Sequence, residues 1–569
     1  MRNGADSFVG PADGALPDIT DGPAAQIREF VANEDRRLRR HYVKELNDSI
    51  IGNVGLPASH SCSGAEAAQY IDACINATEA ILKARHSAYS PLRWLWYLRR
   101  TPDELFIGNH PTTHGYDRLL AECLTWVLDS SDQRVISETP LRFPVDVSIC
   151  RQIVRLVGGV KYLSDLHVQA RYAGKGASFS FSDSLRPLSR IPDPVIENAV
   201  TIYDQRLLEE DRYVYAGLGV SRPTPKGEAA SDSIFDLCLL IRCEPHSVRC
   251  NVLTKGGYVD GNISCRSTFQ TVPAKQLLLP FGHSLVDESY PSSQTMCLVM
   301  FCMAYPLFFA RLPWCVGSVL QHGYFVVRDS LAIEILADVL TPVRDHLQML
   351  GYNMNLPGDA LAWLQTLEDT APSLWPFVRA GFVRRRSTLL AFDIALACHA
   401  VLDFFRAKRL SGEAGNQRAR QFELNIQASI GTTTWKPPPE IAALRGRKLT
   451  VQGSAITDID AVAAHGKRLL LISCKSLIYD AEYDAGRFSA VRHASDVVSV
   501  AVAAWSEKLK RIEKLKRGDN FDLSAYDEFI GVVCTPFAPY VSDAASLAFV
   551  QPGLRAACSA SELIEWLSM

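Results

Sequence analysis

Four polar side chains lie close together in an otherwise apolar part of the chain: Asp458, Asp460, Ser473 and Lys475. Carboxylate oxygens are the ligands that Mg²⁺ prefers, and bound Mg²⁺ keeps several water molecules, one of which can act as a nucleophile. A lysine ammonium beside such a site can orient that water or neutralise the charge that develops on an attacked phosphorus. These residue types therefore predict metal-assisted hydrolysis of a phosphate ester.

Two predicted β-strands position these side chains. The runs 456–464 and 468–476 are joined by a His-Gly-Lys turn, which is typical of a hairpin. Residues two apart on a strand share a face, so the two aspartates point the same way, as do Ser473 and Lys475. Pairing the strands would gather two carboxylates, a hydroxyl and an ammonium at one edge of an apolar sheet.

The elements around this hairpin are predicted from the length and composition of each run. Ser559 and Glu562 form the sequence signature of a capping box, which marks the start of a final helix. The predicted order is αβββαβ, followed by that last helix. Before and after the hairpin strands we predict helix 417–430, strand 448–453, helix 494–516 and strand 529–535.

Residues 417–569 resemble the PD-(D/E)XK nucleases, a restriction-endonuclease-like superfamily whose core is αβββαβ and whose signature spans the second and third strands. The sequence TDIDA at 457–461 resembles the family's acidic strand, and LLLISCKS at 469–476 resembles its third strand. The resemblance covers about 150 of the 569 residues and implies a nuclease fold for this segment.

The resemblance also implies roles for particular residues. Asp460 would bind the metal ion, Mg²⁺ or Mn²⁺, and Lys475 would be the catalytic lysine. The backbone carbonyl of Cys474 falls where the family commonly offers a metal ligand. Glu423, on the preceding helix, matches an acidic position that many members use to complete the site.

Ser473 departs from the family pattern, which has Glu, Asp or Gln at this position. A hydroxyl is a weak ligand for Mg²⁺, so Ser473 would make a minor or water-mediated contact. Either Asp458 or Glu423 supplies the missing carboxylate, or the domain has lost its chemistry and binds without cutting. Both alternatives stay open at the level of the sequence.

The chain as a whole is predicted to be an α/β multidomain protein, because 569 residues exceed what one core usually organises. The Gly, Asp and Pro-rich residues 1–24 predict a flexible tail, and 25–410 a large, mainly helical α+β region. The turn-forming segment 410–416 is the predicted domain boundary. Further predictions are strands near 199–203, 213–215 and 235–241, and helices at 331–350 and 387–409.

Composition excludes several protein classes. Apolar residues make up 47% and charged residues 21% of the chain, which argues against extensive disorder, and a net charge of −3 gives no overall basic footprint for nucleic acid. Fifteen scattered cysteines without a CxxC pair, and no secretory signal, predict a reduced cytoplasmic protein. Prolines interrupt the apolar run 296–310, so we predict a buried helix there and no membrane span.

Other candidates have ordinary structural explanations. The cations near the end of the helix 494–516 and the arginines at 384–386 could contact phosphate, but such runs are commonly solvated. His110 and His114 lie four residues apart, yet their Gly and Thr neighbours favour a loop over a zinc helix. The Cys474 thiol lies beside a lysine, but strand alternation turns it towards the core.

The sequence therefore predicts a metal-dependent nuclease that hydrolyses phosphodiester bonds, with DNA as the expected substrate. The N-terminal region would recognise a substrate, a trigger, a partner protein or a second copy of the chain. By family analogy, such an arrangement is typical of bacterial defence against foreign DNA. The alternatives are a catalytically degenerate nuclease fold that binds nucleic acid or acts as a scaffold, and chemistry located in the N-terminal region.

Overall fold

The structure is a computed structural model of the chain. The stretches that it describes, with shorter pieces and single residues between them, are 22–55, 61–87, 91–101, 145–180, 188–217, 236–254, 257–273, 323–349, 357–369, 388–394, 412–477 and 487–569. In these stretches the chain is a mixture of α-helices and small β-sheets.

Long helices dominate the first part of the described chain. Apolar residues three and four apart pack inwards, as Ile71, Cys74 and Ile75 do on the second helix. The predicted helical region is thus confirmed where it is described, although the first helix begins at Gly22, inside the predicted tail. The helices are α1 (Gly22–Val54), α2 (Gly64–His86), α3 (Pro91–Leu98), α4 (Val147–Gly174), α5 (Pro194–Gly217), α6 (Asp329–Met349) and α7 (Ala360–Asp369).

Several small antiparallel sheets accompany these helices. Two three-stranded sheets have the orders β1-β2-β3 and β6-β10-β9, while β4 with β5 and β7 with β8 form separate pairs. The strands are β1 (Ser61–Ser63), β2 (Ser178–Ser180), β3 (Ser189–Ile191), β4 (Asp236–Thr254), β5 (Gly257–Pro273), β6 (Tyr324–Arg328), β7 (Ser373–Trp375), β8 (Val378–Arg379), β9 (Val383–Arg386) and β10 (Leu389–Asp393).

One hydrophobic cluster joins helices α1 to α4, α6 and α7 with strands β6 and β10. Trp94 and Tyr97 of α3 and Phe392 of β10 are fully buried in it. Arg99 and Asp393 form an ion pair of 2.8 Å that is almost completely buried. Because a buried charge is costly without its partner, this pair fixes the end of α3 against β10.

The C-terminal segment has the element order that the sequence predicts, with short additions. Leu469 to Ile472 are all fully buried, which accounts for the apolar central strand. The elements are α8 (Gly412–Ile430), α9 (Pro439–Ala442), β11 (Lys448–Val451), β12 (Ser454–Asp458), β13 (Ala461–His465), β14 (Arg468–Cys474), α10 (Phe488–Leu515), β15 (Glu528–Thr535), α11 (Ala544–Leu547), β16 (Phe549–Gln551), β17 (Leu554–Arg555), β18 (Ala557–Ser559) and α12 (Ala560–Ser568).

The central sheet of this segment has the strand order β13-β14-β15-β18. β13 and β14 form the predicted hairpin, and β14, β15 and β18 run parallel. Leu469 and Leu471 pack towards α10, whereas Leu470, Ile472 and Cys474 pack towards α8 and α12. The predicted alternation along β14 is therefore confirmed, and the sheet is covered by helices on both faces.

Four sequence predictions need correction. The runs 199–203 and 213–215 belong to helix α5; in the first run Ala199, Val200 and Tyr203 are buried at helical spacing in one cluster. The stretch from 387 begins as strand β10 instead of a helix. Helix α8 starts at Gly412, inside the predicted linker. The predicted strand 456–464 is two strands, with a bend at Ile459 and Asp460.

The N-terminal helices pack directly on the C-terminal segment. The guanidinium of Arg206 on α5 makes two hydrogen bonds to the Glu562 carboxylate, of 2.7 and 2.8 Å, and a third to the carbonyl of Ala557. The rings of Tyr203 and Tyr540 meet edge to face. These contacts join α5 to the strand ends of the central sheet.

None of the described helices is long and apolar enough to cross a membrane. Of the apolar run 296–310, only Phe301 and Phe308 are described, and both are buried in the N-terminal cluster.

Candidate functional site

Asp460 lies at the bend between β12 and β13, beside the end of β14. Its Oδ2 accepts a hydrogen bond of 2.7 Å from the backbone N–H of Cys474 and a longer one of 3.4 Å from the Ser473 hydroxyl. Its Oδ1 makes no hydrogen bond to any described residue. The bend therefore fixes the carboxylate at the end of the sheet and leaves one oxygen for a ligand.

Lys475 follows the last residue of β14 and is half-buried. Its backbone N–H donates to the carbonyl of Cys534 on β15 at 2.8 Å, which fixes its position at the carboxyl end of the parallel strands. In the described part of the chain its ammonium forms no ion pair. The cation is thus free to meet a substrate anion.

Glu423 lies half-buried on α8, the helix that packs on β13 and β14. One turn later, the side-chain amide of Gln427 donates to the carbonyl of Val462 at 3.0 Å and accepts from its N–H at 2.9 Å. This double hydrogen bond holds α8 against the edge strand that starts next to Asp460. It places the Glu423 carboxylate within electrostatic reach of Asp460, Asp458 and Lys475.

The pKa values report the proximity of these charges. Burial raises the pKa of Glu423 above its ordinary value, and the nearby carboxylates of Asp460 and Asp458 raise it further, while Lys475 opposes them. Burial also raises the pKa of Asp460, against the lowering effects of the Cys474 N–H and the Lys475 charge. Asp458, Asp460, Glu423 and Lys475 therefore share a single electrostatic environment.

A divalent metal ion fits this arrangement in one particular way. Among the described residues, no three His, Cys, Asp or Glu side chains gather closely enough to hold a metal ion by themselves. Mg²⁺, however, commonly takes only one or two carboxylates and completes its shell with water and substrate phosphate. The free Oδ1 of Asp460, and the nearby Glu423 carboxylate whose pKa Asp460 raises, suit a cation held between them.

Ser473 and Cys474 complete the end of β14. Ser473 is 8% exposed and shares the sheet face of Asp460. The Cys474 side chain is buried in the opposite cluster, where burial raises the pKa of its thiol, so a nucleophilic role does not fit. The N–H and C=O of a strand residue point towards the same neighbouring strand. Because the Cys474 N–H donates to Asp460, the Cys474 carbonyl also lies on the side of Asp460.

Two other candidates from the sequence have different outcomes. Arg385 is exposed on strand β9 and pairs with Glu368 and Asp329, so the run 384–386 lies on a strand and Arg385 is occupied by acids. His110 and His114 lie outside the described residues.

The basic end of α10 is at the opposite end of the sheet. Lys516 donates to the carbonyl of Tyr526, and the adjacent Asp527 pairs with Lys467 in the hairpin turn. Eight residues of extended chain, about 25 Å, separate Lys467 in the hairpin turn from Lys475. Three cations of the run are occupied locally, Lys510 by Glu507, Arg517 by Asp522 and Lys516 by the Tyr526 carbonyl.

Compared with family models, with curated proteins and with solved structures, the chain matches none of them.

Two residues near the site were missed by the sequence analysis. Gln427 lies four residues after Glu423, so the helical repeat alone would place both on one face of α8. Arg445 lies in the turn before β11, and its charge lowers the pKa of Glu423. No periodicity marks Arg445, since its nearness to the acids depends on how the turn packs.

Proposed function

We propose that the C-terminal segment is a metal-dependent nuclease domain of the PD-(D/E)XK type that hydrolyses phosphodiester bonds, with DNA as the expected substrate. The element order α8, β11, β12 with β13, β14, α10 and β15 supports the fold proposal. The observation that carries the activity is the anchoring of Asp460 to the end of β14, with Glu423, Asp458 and Lys475 in its field.

In this proposal Asp460, Glu423 or Asp458, and the Cys474 carbonyl would hold Mg²⁺ or Mn²⁺. When bound, the ion lowers the pKa of its water and polarises the phosphoryl oxygen. The protein residues supply position and charge. Asp460 accepts hydrogen bonds from the Cys474 N–H and the Ser473 hydroxyl, so its carboxylate needs no rearrangement when the substrate arrives.

Lys475 supplies the positive charge for the reaction. Hydrolysis forms a bond from the water oxygen to phosphorus and breaks the bond from phosphorus to the leaving oxygen; one water proton passes to solvent, and the leaving oxygen takes a proton from solvent. Negative charge builds on the phosphoryl oxygens in the transition state. The Lys475 ammonium, without an ion pair in the described part of the chain, can neutralise that charge or orient the water.

The test is cleavage of plasmid and of labelled duplex by the full chain in Mg²⁺ and in Mn²⁺. We expect cutting by the wild type, and a loss of about 100-fold or more in Lys475→Ala and Asp460→Asn. Lys467→Ala is the matched control, because that lysine is exposed at the opposite end of β14. Cleavage that persists at the wild-type rate in both site variants contradicts the proposal and directs attention to the N-terminal region.

A degenerate domain that binds nucleic acid without cutting is the second candidate. The nearly buried Ser473, at the position of the family's second acid, supports it. In that case the wild type cuts nothing in either metal, and binding to duplex survives both Asp460→Asn and removal of metal by EDTA. Cleavage by the wild type excludes this candidate.

A further inference from the structure

A short basic segment, residues 445–448 (Arg-Gly-Arg-Lys), borders the acidic site. Lys448 is the register partner of Asp458 on the neighbouring strand, and both side chains are exposed. Side chains directly opposite each other on antiparallel strands are about 5 Å apart at Cβ. The basic segment therefore runs beside the acids and not on a remote surface.

The turn that carries this segment is fixed to the site by its backbone. Gly446 has a φ of +68°, a conformation that glycine adopts without strain, and its N–H donates to the carbonyl of Ile459 at 2.8 Å. Ile459 directly precedes Asp460. On either side of the cations, Leu444 and Leu449 are buried in the core between the sheet and α10. The turn, with its guanidinium groups, is thus held at a constant distance from Asp460.

The three cations form no close ion pair in the described part of the chain, although the charge of Arg445 acts on Glu423 at longer range. Neither Arg445, Arg447 nor Lys448 makes a side-chain hydrogen bond or an ion pair there, whereas three cations at the end of α10 are occupied locally. Arg445 is half-buried, and the other two are exposed. The acids could bind an anionic ligand through a metal ion, while the neighbouring cations bind other anionic groups of the same ligand.

A nucleic-acid strand has that chemistry. Its phosphates repeat at about 3.4 Å of rise per nucleotide along each strand of a duplex. Arg445 and Lys448 are three residues apart, at most about 10 Å of chain, so the segment can reach neighbouring phosphates of one strand. The planar guanidinium also suits the bidentate recognition of phosphate.

We infer that the basic segment 445–448 binds the backbone phosphates next to the phosphodiester that is held at Asp460 and Lys475. This inference rests on the proposed function and names the part of the substrate that the site takes. The contacts are to phosphate, so they fix the position of the strand and carry no base specificity. The acids and Lys475 then act on one phosphodiester while the basic segment holds its neighbours.

The test measures binding of a fluorescent DNA duplex to the full chain carrying Asp460→Asn, in Ca²⁺, at several salt concentrations. We expect Arg447→Ala/Lys448→Ala to weaken binding and to reduce the slope of log affinity against log salt by about 2, at roughly 0.9 for each lost phosphate contact. Arg445→Gln, tested separately because Arg445 is half-buried, should reduce the slope by about 1. Arg511→Ala/Lys514→Ala is the control with equal charge change on exposed residues at the far end of α10.

The outcomes separate this inference from the proposed function. Equal salt slopes in the double variant and its control, or no binding of duplex at all, overturn the inference even if the wild type cleaves DNA. A selective loss in the 447/448 variant supports the inference even if the wild type cuts nothing, in which case the nuclease proposal alone fails. Melting temperatures of each variant, compared with that of the Asp460→Asn parent, check that all are folded.

Discussion

At the scale of single residues, Ser473 decides how the metal site is completed. Its hydroxyl lies beside Oδ2 of Asp460, at the end of strand β14, whose other residues are mostly apolar and buried. A hydroxyl there stabilises the Asp460 carboxylate without adding a second negative charge. The serine thereby reduces the repulsion within a cluster in which Glu423 already has a raised pKa.

We expect Ser473→Asp to lower the free energy of unfolding by about 1 to 3 kcal/mol in EDTA, because it adds a buried like charge next to Asp460. Excess Mg²⁺ should raise the melting temperature of this variant more than that of the wild type, since a second carboxylate strengthens metal binding. Thermal unfolding in EDTA and in Mg²⁺ measures both effects. Ser506→Asp, on the exposed side of α10, is the control, and equal metal shifts in all three proteins would contradict the prediction.

At the scale of elements, the contact between α8 and β13 determines whether Glu423 reaches the site. β13 is the edge strand of the central sheet, and Gln427 pairs with both backbone polar groups of Val462. An edge strand needs such a cover for its unpaired groups. The same two hydrogen bonds fix the rotation of α8, and with it the position of Glu423.

We expect Gln427→Met, which keeps the volume and removes both hydrogen bonds, to cost about 1 to 3 kcal/mol of stability. Cleavage should fall as well, because Glu423 is no longer held beside Asp460. Urea unfolding and a cleavage assay measure the two effects. Leu424→Ala on the same helix, where the side chain is already 37% exposed, should change stability by less than about 0.5 kcal/mol. If Gln427→Met is as stable as Leu424→Ala, the double hydrogen bond does not stabilise the fold and the prediction is wrong.

At the scale of the whole molecule, the N-terminal helices are built onto the end of the sheet that carries the site. Helix α5 contacts Glu562, Ala557 and the loop after β15. The carbonyl of Cys534, near the end of β15, also accepts the hydrogen bond that fixes the backbone of Lys475. Lys175, at the end of α4, is enclosed between the rings of Tyr203 and Tyr540, with its Nζ at 4.4 and 5.2 Å from their centres. Tyr540 donates to the Lys175 carbonyl.

Burial lowers the pKa of Lys175 to about 7, with Arg171 adding to the effect and Asp204 opposing it. In the unfolded chain its pKa is about 10.4. Between these values the unfolded state holds a proton that the folded state lacks, so the free energy of unfolding should rise with pH from about 7 to about 10, by about 1 kcal/mol per unit.

Urea unfolding at a series of pH values, compared between the wild type and Lys175→Met, isolates this contribution. Tyrosines and cysteines also titrate in this pH range, so the relevant quantity is the difference in unfolding free energy between the wild type and Lys175→Met at each pH. Lys436→Met, at an exposed position, should run parallel to the wild type. A Lys175→Met curve that also runs parallel to the wild type would show that the buried amine keeps its proton.

The sequence alone predicted the strands and helices of the C-terminal segment and the grouping of Asp460, Lys475 and Ser473. These predictions rest on short-range periodicity: the alternation along β14 and the capping box at Ser559 are fixed by neighbours a few residues away. The bend at Asp460 was not predicted, because it depends on the hydrogen bond that Asp460 accepts from Cys474 on another strand.

Only the tertiary structure decided what surrounds that grouping. The helical state of 199–203 follows from the packing of α5 on Tyr540 and its neighbours, which overrides the β preference of the local residues. The nearness of Arg445 to Glu423, the double hydrogen bond of Gln427 and the burial of Arg206 against Glu562 join residues tens to hundreds of positions apart. Such contacts leave no periodic trace in the chain, since their geometry exists only when the helices and the sheet are packed together.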